Sequence, residues 1–308
     1  MGEHPRAEAH GGVPPRTPLR VLLAEDNPVN QRVTLLLLRR LGHHVDIVGD
    51  GLEAVEAVAR TSYDVVLMDV QMPHLDGLGA TRTIRSRPEQ QQPPIIALTG
   101  GDLAEDRAAC GVAGMDAFLT KPLTLGALGT ALADLSADAD RNLDLSITQP
   151  QLAHHAPPGP PGSWSRTSRE ELVHRRLHEV AGPDPLDEDL DLFSSILRSF
   201  VERSPALVDD LADAVLHHPV RTVQDQAHKL KGSAANLGGA HLAALLDRIE
   251  GLSRLGQRPA ACDLEPVRAE LVELRRSLTV VASGLESRSP ARPATIAPRG
   301  GGAGGAPG

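Results

Sequence analysis

Short apolar runs recur between Leu19 and Leu135: LRVLLAED, HVDIVG, DVVLMD, PIIALTG and AFLTKP. Each is a few residues long, rich in branched aliphatics, and bounded by Asp, Gly or Pro. That is the pattern of a strand buried on both faces. A helix-length segment follows each run. Five such repeats in about 120 residues predict one doubly wound α/β domain with a five-stranded parallel sheet, covering residues 19–136.

From Leu186 to about Leu285 the apolar positions recur at three and four instead. Helices are expected near 187–202, 205–217, 220–237, 239–255 and 264–284, with Pro205 and Pro219 at helix starts and Gly238–Gly239, Gly251 and Gly256 at helix ends. An antiparallel all-α bundle over 186–285 follows. Residues 1–18 read as a disordered leader and 286–308 as a disordered tail. The span 137–185, with HHAPPGPPGSWS inside it and room for short helical stretches on either side, reads as a whole as a flexible linker.

A length of 308 residues agrees with two domains. Aromatics make up only 2%, so the cores must be built from Leu, Val, Ile and Ala. The net charge of -9 and the lack of a basic stripe argue against nucleic acid as a partner. Cys110 and Cys262 fall in different domains, which suits a reducing compartment rather than a disulfide framework. With no apolar signal region and no long apolar span, the expectation is a cytoplasmic chain without membrane insertion.

In an open α/β sheet, ligands gather at the carboxyl ends of the strands. Here those ends are Glu25-Asp26, Asp69, Thr99 and Lys121-Pro122. Any one of them alone is ordinary, since a strand-end Asp often just caps the next helix. Together they would bring three carboxylates, a hydroxyl and an ammonium to one edge. Such carboxylates repel and call for a hard divalent cation such as Mg²⁺. Metal, ammonium and hydroxyl would then suit a phosphoryl group, with an aspartate as its acceptor.

LLAEDNPVNQ, VVLMDVQMPHLDG, ALTG and FLTKP together resemble the receiver domain of two-component response regulators. The resemblance implies Asp69 as phospho-acceptor, Asp26 as a direct Mg²⁺ ligand and Glu25 as its acidic neighbour. It also implies the backbone carbonyl of Gln71 as a further metal ligand, Thr99 and Lys121 as contacts of the phosphoryl group, Phe118 as a switch aromatic, and a cis peptide before Pro122.

In the helical region, Val220, Val223, Ala227, Leu230, Ala234 and Leu237 form the buried stripe of one helix. His228 flanks that stripe, with Lys231, Gly232 and Ala235 one and two turns on. Gly within a helix costs about 1 kcal/mol relative to Ala, so its presence beside a histidine suggests a partner that must come close. The bland alternative, a solvated histidine and a packing glycine, stands level on this helix alone. AHKLKGSAANLGG resembles the histidine-containing phosphotransfer (HPt) domain, which implies phosphoryl transfer through His228 assisted by Lys231.

The order, receiver then HPt, is similar to the C-terminal part of hybrid sensor histidine kinases. The resemblances imply a phosphorelay protein rather than an enzyme with its own ATP site, with sensor kinases and other receiver or HPt proteins as partners. A linker of about 50 residues spans roughly 35–40 Å and allows transfer within one chain. The exchange also requires an imidazole left uncovered on the bundle. The first receiver helix, 28–41, offers a docking face where Leu35 lies between Arg32 and Arg39, with a stray surface leucine as an equal alternative. Other readings are a detached kinase tail acting only with a separate kinase, a Mg²⁺-dependent phosphohydrolase, and an interaction scaffold with a dead receiver.

Overall fold

The computed structural model describes residues 17–87, 92–100, 104–137 and 165–288. Most of the expected leader and tail, and 138–164 of the expected linker, lie outside them.

The strands form where the apolar runs predict them: β1 (Arg20–Ala24), β2 (His44–Val48), β3 (Val65–Asp69), β4 (Ile95–Thr99) and β5 (Ala117–Thr120). All pair in parallel, in the order β2-β1-β3-β4-β5. Helices α1 (Pro28–Arg40), α2 (Gly51–Arg60), α3 (Gly77–Arg85), α4 (Ala104–Ala113) and α5 (Leu125–Ala137) connect and close the sheet. Both β3 and β4 are buried along their whole length, as runs without polar alternation require, whereas the edge strands depart from that expectation: β2 is half-exposed and β5 is buried only at alternate residues. One face of the sheet packs Leu22, Val66, Met68 and Ala97 against Ala54, Val58 and Ile84.

The other face carries Leu23, Leu67, Ile96 and Leu98 under Leu36 and Leu37 of α1. This core runs on without a break into the helical region, through Val173, Phe193, Leu230 and Leu278. The two domains therefore share one apolar interior. At roughly 1.5–3 kcal/mol per buried large aliphatic side chain, a shared interior favours the docked arrangement strongly.

The helical region holds α6 (Arg166–Ala181), α7 (Asp187–His217), α8 (Val220–Asn236), α9 (Ala240–Arg254) and α10 (Glu265–Glu286), with a short 3-10 turn at Ala261–Leu264. Three expectations need correction, the simplest being Gly251, which does not end a helix but lies inside α9. The span 137–185 is not linker throughout, because α6 occupies Arg166–Ala181, capped by the Ser165 side chain. Its buried positions, Val173, Leu177 and Val180, give a helical stripe that its many Arg and His residues conceal.

The third correction concerns Pro205, which does not start a helix but lies inside α7. Proline leaves the carbonyl four residues earlier without its helical donor. Here that carbonyl, of Val201, accepts instead from Arg275 Nε at 2.9 Å.

Candidate functional site

The acidic cluster is built by the carboxyl ends of β1 and β3. Glu25, Asp26 and Asp69 each place a carboxylate oxygen within 4.8 Å of the others. Lys121, just past β5, reaches two of them: its Nζ stands 2.5 Å from Glu25 Oε2 and 2.7 Å from Asp69 Oδ2. All three side chains are almost fully buried. Burial, then the charge of Glu25, push the Asp69 carboxyl up to about 8 against the pull of Lys121. Burial works against the Lys121 ammonium, yet Asp69 and Glu25 together hold its pKa above the ordinary value.

The remaining expected residues surround this cluster. Thr99 is buried at the end of β4, next to β3 in the sheet. The backbone N–H of Gln71 donates to Asp69 Oδ1 at 3.2 Å, which folds the loop after β3 back over the aspartate. Phe118 lies under the Arg107 guanidinium, 4.3 Å from its ring centre. The Lys121–Pro122 peptide is cis.

His228 lies on α8, and α8 lies on the receiver. Its ring rests on Gly100, the residue after Thr99: a Cβ built on that glycine would stand 2.3 Å from His228 Cε1. The imidazole is therefore not left open on the bundle. Its side chain is 12% exposed, and the receiver is what covers it. Nδ1 meets Glu250 Oε1 of α9 at 3.1 Å. Burial would raise the Glu250 pKa; the His228 hydrogen bond and charge, then Lys231, overcome it and hold the carboxyl at about 2. An ionised carboxylate only accepts hydrogen bonds, so Nδ1–H is the donor in this pair and Nε2 is the ring nitrogen that the neutral tautomer offers as a nucleophile.

Lys231 was expected to assist the phosphoryl group. The structure places its Nζ 2.5 Å from Glu250 Oε2 and 2.9 Å from Asp247 Oδ1. Its route to His228 runs through Glu250. The lysine that crosses to the receiver is Lys229, whose Nζ stands 2.5 Å from Asp26 Oδ2.

Side-chain amides extend the junction. Asn27 caps α1 by accepting from Val29 N, and its Nδ2 donates to Ser233 Oγ at 2.7 Å and to the Lys229 carbonyl at 3.0 Å. Asn236 Nδ2 donates to Asn30 Oδ1 at 2.8 Å, and Asn30 Nδ2 donates to Glu25 Oε1 at 3.0 Å. Gly232 passes over Asn30, where a Cβ would find the amide at 3.4 Å. The small residue thus sits where the receiver comes close. At the far end of α1, Arg40 pairs with Asp189 at 3.1 Å. Docking does use α1, but through Asn27, Asn30 and Arg40 rather than through Leu35, Arg32 and Arg39.

A buried aspartate and a covered histidine, brought to one junction between an α/β sheet and a helical bundle, define a two-module phosphotransfer architecture. Comparison with known proteins agrees. Residues 21–133 match the response regulator receiver domain family, and 195–283 match the Hpt domain family. The chain carries a receiver domain followed by an Hpt domain, the modules of phosphorelay signalling, and its relatives include hybrid histidine kinases.

The aerobic respiration control sensor protein ArcB of Escherichia coli (strain K12) is 30% identical over 77% of this chain and 28% of its own length. The signal transduction histidine-protein kinase BarA of Escherichia coli (strain K12) is 28% identical over 86% of this chain and 26% of its own. Histidine kinase 5 of Arabidopsis thaliana is 40% identical over 37% of this chain and 15% of its own. The chain thus spans less than a third of these relatives. Among solved structures, the receiver domain of sensor histidine kinase PA1611 from Pseudomonas aeruginosa PAO1 is 44% identical, covering 39% of this chain and 99% of its own, with a TM-score of 0.37. Among the described residues, no helix is long and apolar enough to cross a membrane.

Proposed function

We propose that the chain passes a phosphoryl group between Asp69 and His228 across its own internal junction. The observation that carries this reading is the contact of the His228 ring with Gly100, beside the cluster that holds Asp69. The donor set fits a hard divalent cation. Three carboxylates crowd this edge beside two ammoniums, from Lys121 and Lys229, so one negative charge is left uncompensated once Asp69 ionises. Asp26, Asp69 and the Gln71 carbonyl would hold Mg²⁺, with Glu25 beside them. When bound, the ion draws charge from the phosphoryl oxygens.

The chain's own groups do the rest. The Nε2 lone pair of His228 attacks phosphorus. The bond from phosphorus to the Asp69 oxygen breaks, and its electron pair stays with the carboxylate, where Lys121 receives the charge. The ring gains a positive charge, which Glu250 stabilises by accepting from Nδ1. No proton enters or leaves, and the reverse transfer follows the same path. Thr99 supplies a hydroxyl to the phosphoryl oxygens. Sensor kinases and other receiver or HPt proteins are the partners this chemistry suits, with no ATP site needed in these two domains.

The test is incubation with Mg²⁺ and a small radiolabelled acyl phosphate. Label should reach His228 as alkali-stable phosphate, vanish from both residues in Asp69→Ala, and remain on Asp69 in His228→Gln. Steady release of phosphate from many simple esters would instead support a hydrolase, and an unlabelled Asp69 a scaffold.

A further inference from the structure

Helix α6 lies outside both family matches, yet it packs on both domains. Toward the bundle, Arg169 forms a two-pronged pair with Glu270 of α10, at 2.8 and 2.6 Å. Its backbone also lies directly on Gly238, just past α8: a Cβ there would stand 2.6 Å from the Leu172 carbonyl oxygen. Only a residue without a side chain lets α6 come this close.

Toward the receiver, the key group is Arg176, which is 3% exposed. Its Nη2 donates at 2.7 Å to the carbonyl of Leu123, two residues past Lys121 in the receiver, and at 3.0 Å to Asn236 Oδ1. Its Nε donates to the Asn236 carbonyl at 3.1 Å, and Nη1 reaches Glu179 on its own helix. One guanidinium thus ties α6, the end of α8 and the receiver loop after β5. Burying such a charge is expensive, and an apolar side chain of similar volume often serves packing as well or better. What an apolar side chain cannot do is tie three elements in one geometry. The tie also continues inward, since Asn236 bonds Asn30 and Asn30 bonds Glu25 of the acidic cluster.

The docked pair is sealed. Asp69 is 3% exposed, and the His228 side chain has 12% of its surface left. In this arrangement neither is open to a protein-sized donor or acceptor. We propose that α6 is a latch, closed by Arg176, that holds the helical domain on its own receiver and so favours internal exchange over exchange with other chains. This rests on the exchange between Asp69 and His228 proposed above, with Arg176 acting as a positioning residue.

The experiment uses full chains in two assays. Internal transfer is followed in the otherwise unaltered chain. Transfer between chains is followed by mixing Asp69→Asn chains with His228→Gln chains, with Mg²⁺ and a small labelled acyl phosphate, and scoring alkali-stable label on the former. Introducing Arg176→Met should lower internal transfer about tenfold and raise transfer between chains about tenfold, because the docked partner's high effective concentration is lost. A merely structural defect would lower both. Arg40→Gln, at the exposed rim of the same junction, should shift both assays in the same directions by a smaller factor and serves if Arg176→Met does not fold. A drop in both assays, or no change in either, would overturn the latch. Absence of label on His228 in the unaltered chain would count against the exchange itself.

Discussion

The imidazole of His228 rests on the backbone of Gly100, so closely that a Cβ there would fall 2.3 Å from Cε1. No side chain, not even a methyl, fits without moving the ring or the loop. Gly100→Ala should therefore leave phosphorylation of Asp69 by a small donor nearly intact while lowering transfer to His228 about 100-fold, the cost of misplacing reacting groups by about 1 Å. Partition of label between the two residues checks this.

Glu250 orients His228 and should contribute in two measurable ways. Glu250→Gln should slow transfer roughly 100-fold, the scale of losing one preorganised electrostatic partner of a developing charge. It should also change the response to acid. The folded pKa, about 2, lies below the ordinary 4.5, so the unfolded chain binds the extra proton first. The stability contributed by Glu250 is complete above about 4.5 and is lost as pH falls from there toward 2. The difference in unfolding free energy between the two chains should shrink as pH falls across that window.

Arg169 and Glu270 form an ion pair almost fully buried between α6 and α10. Arg169→Met should destabilise by about 3–5 kcal/mol, because it strands a buried carboxylate. Adding Glu270→Leu should recover most of that loss. Denaturant unfolding of the two variants decides it. Equal destabilisation in the single and double variants would contradict the assignment.

Arg275 and Pro205 should be coupled. In the natural chain, Arg275→Ala leaves the Val201 carbonyl without a donor and should cost about 1–2 kcal/mol. In a Pro205→Ala background the helix supplies its own N–H, and the loss should be smaller. A double-mutant cycle measures the difference.

The strand ends were legible because parallel strands at the middle of a sheet, as β3 and β4 are, have little choice of residue type, and β1 and β5 carry apolar runs too. Each apolar run stops where the chemistry starts, at Glu25, Asp69, Thr99 and Lys121. The stripe of α8 and the small residues beside His228 were equally readable, since both are local. The docking partners were not. Asn27 and Ser233 are 206 positions apart, and nothing in either segment names the other. Helix α6 was hidden for a related reason: two of its arginines are buried by partners 60 and 101 residues away, so a sequence that reads as solvated lies inside. At Pro205 the local rule was sound, but Arg275 supplied the missing donor from another helix.

Exchange between Asp69 and His228 of one chain fixes how transfer responds to concentration, read as the rate at which label moves from Asp69 to His228 while the chain is diluted about 100-fold. Transfer within a docked pair is first order, and its rate constant should stay the same across the series. A rate constant that falls in proportion to chain concentration would show that the two residues meet only on different molecules.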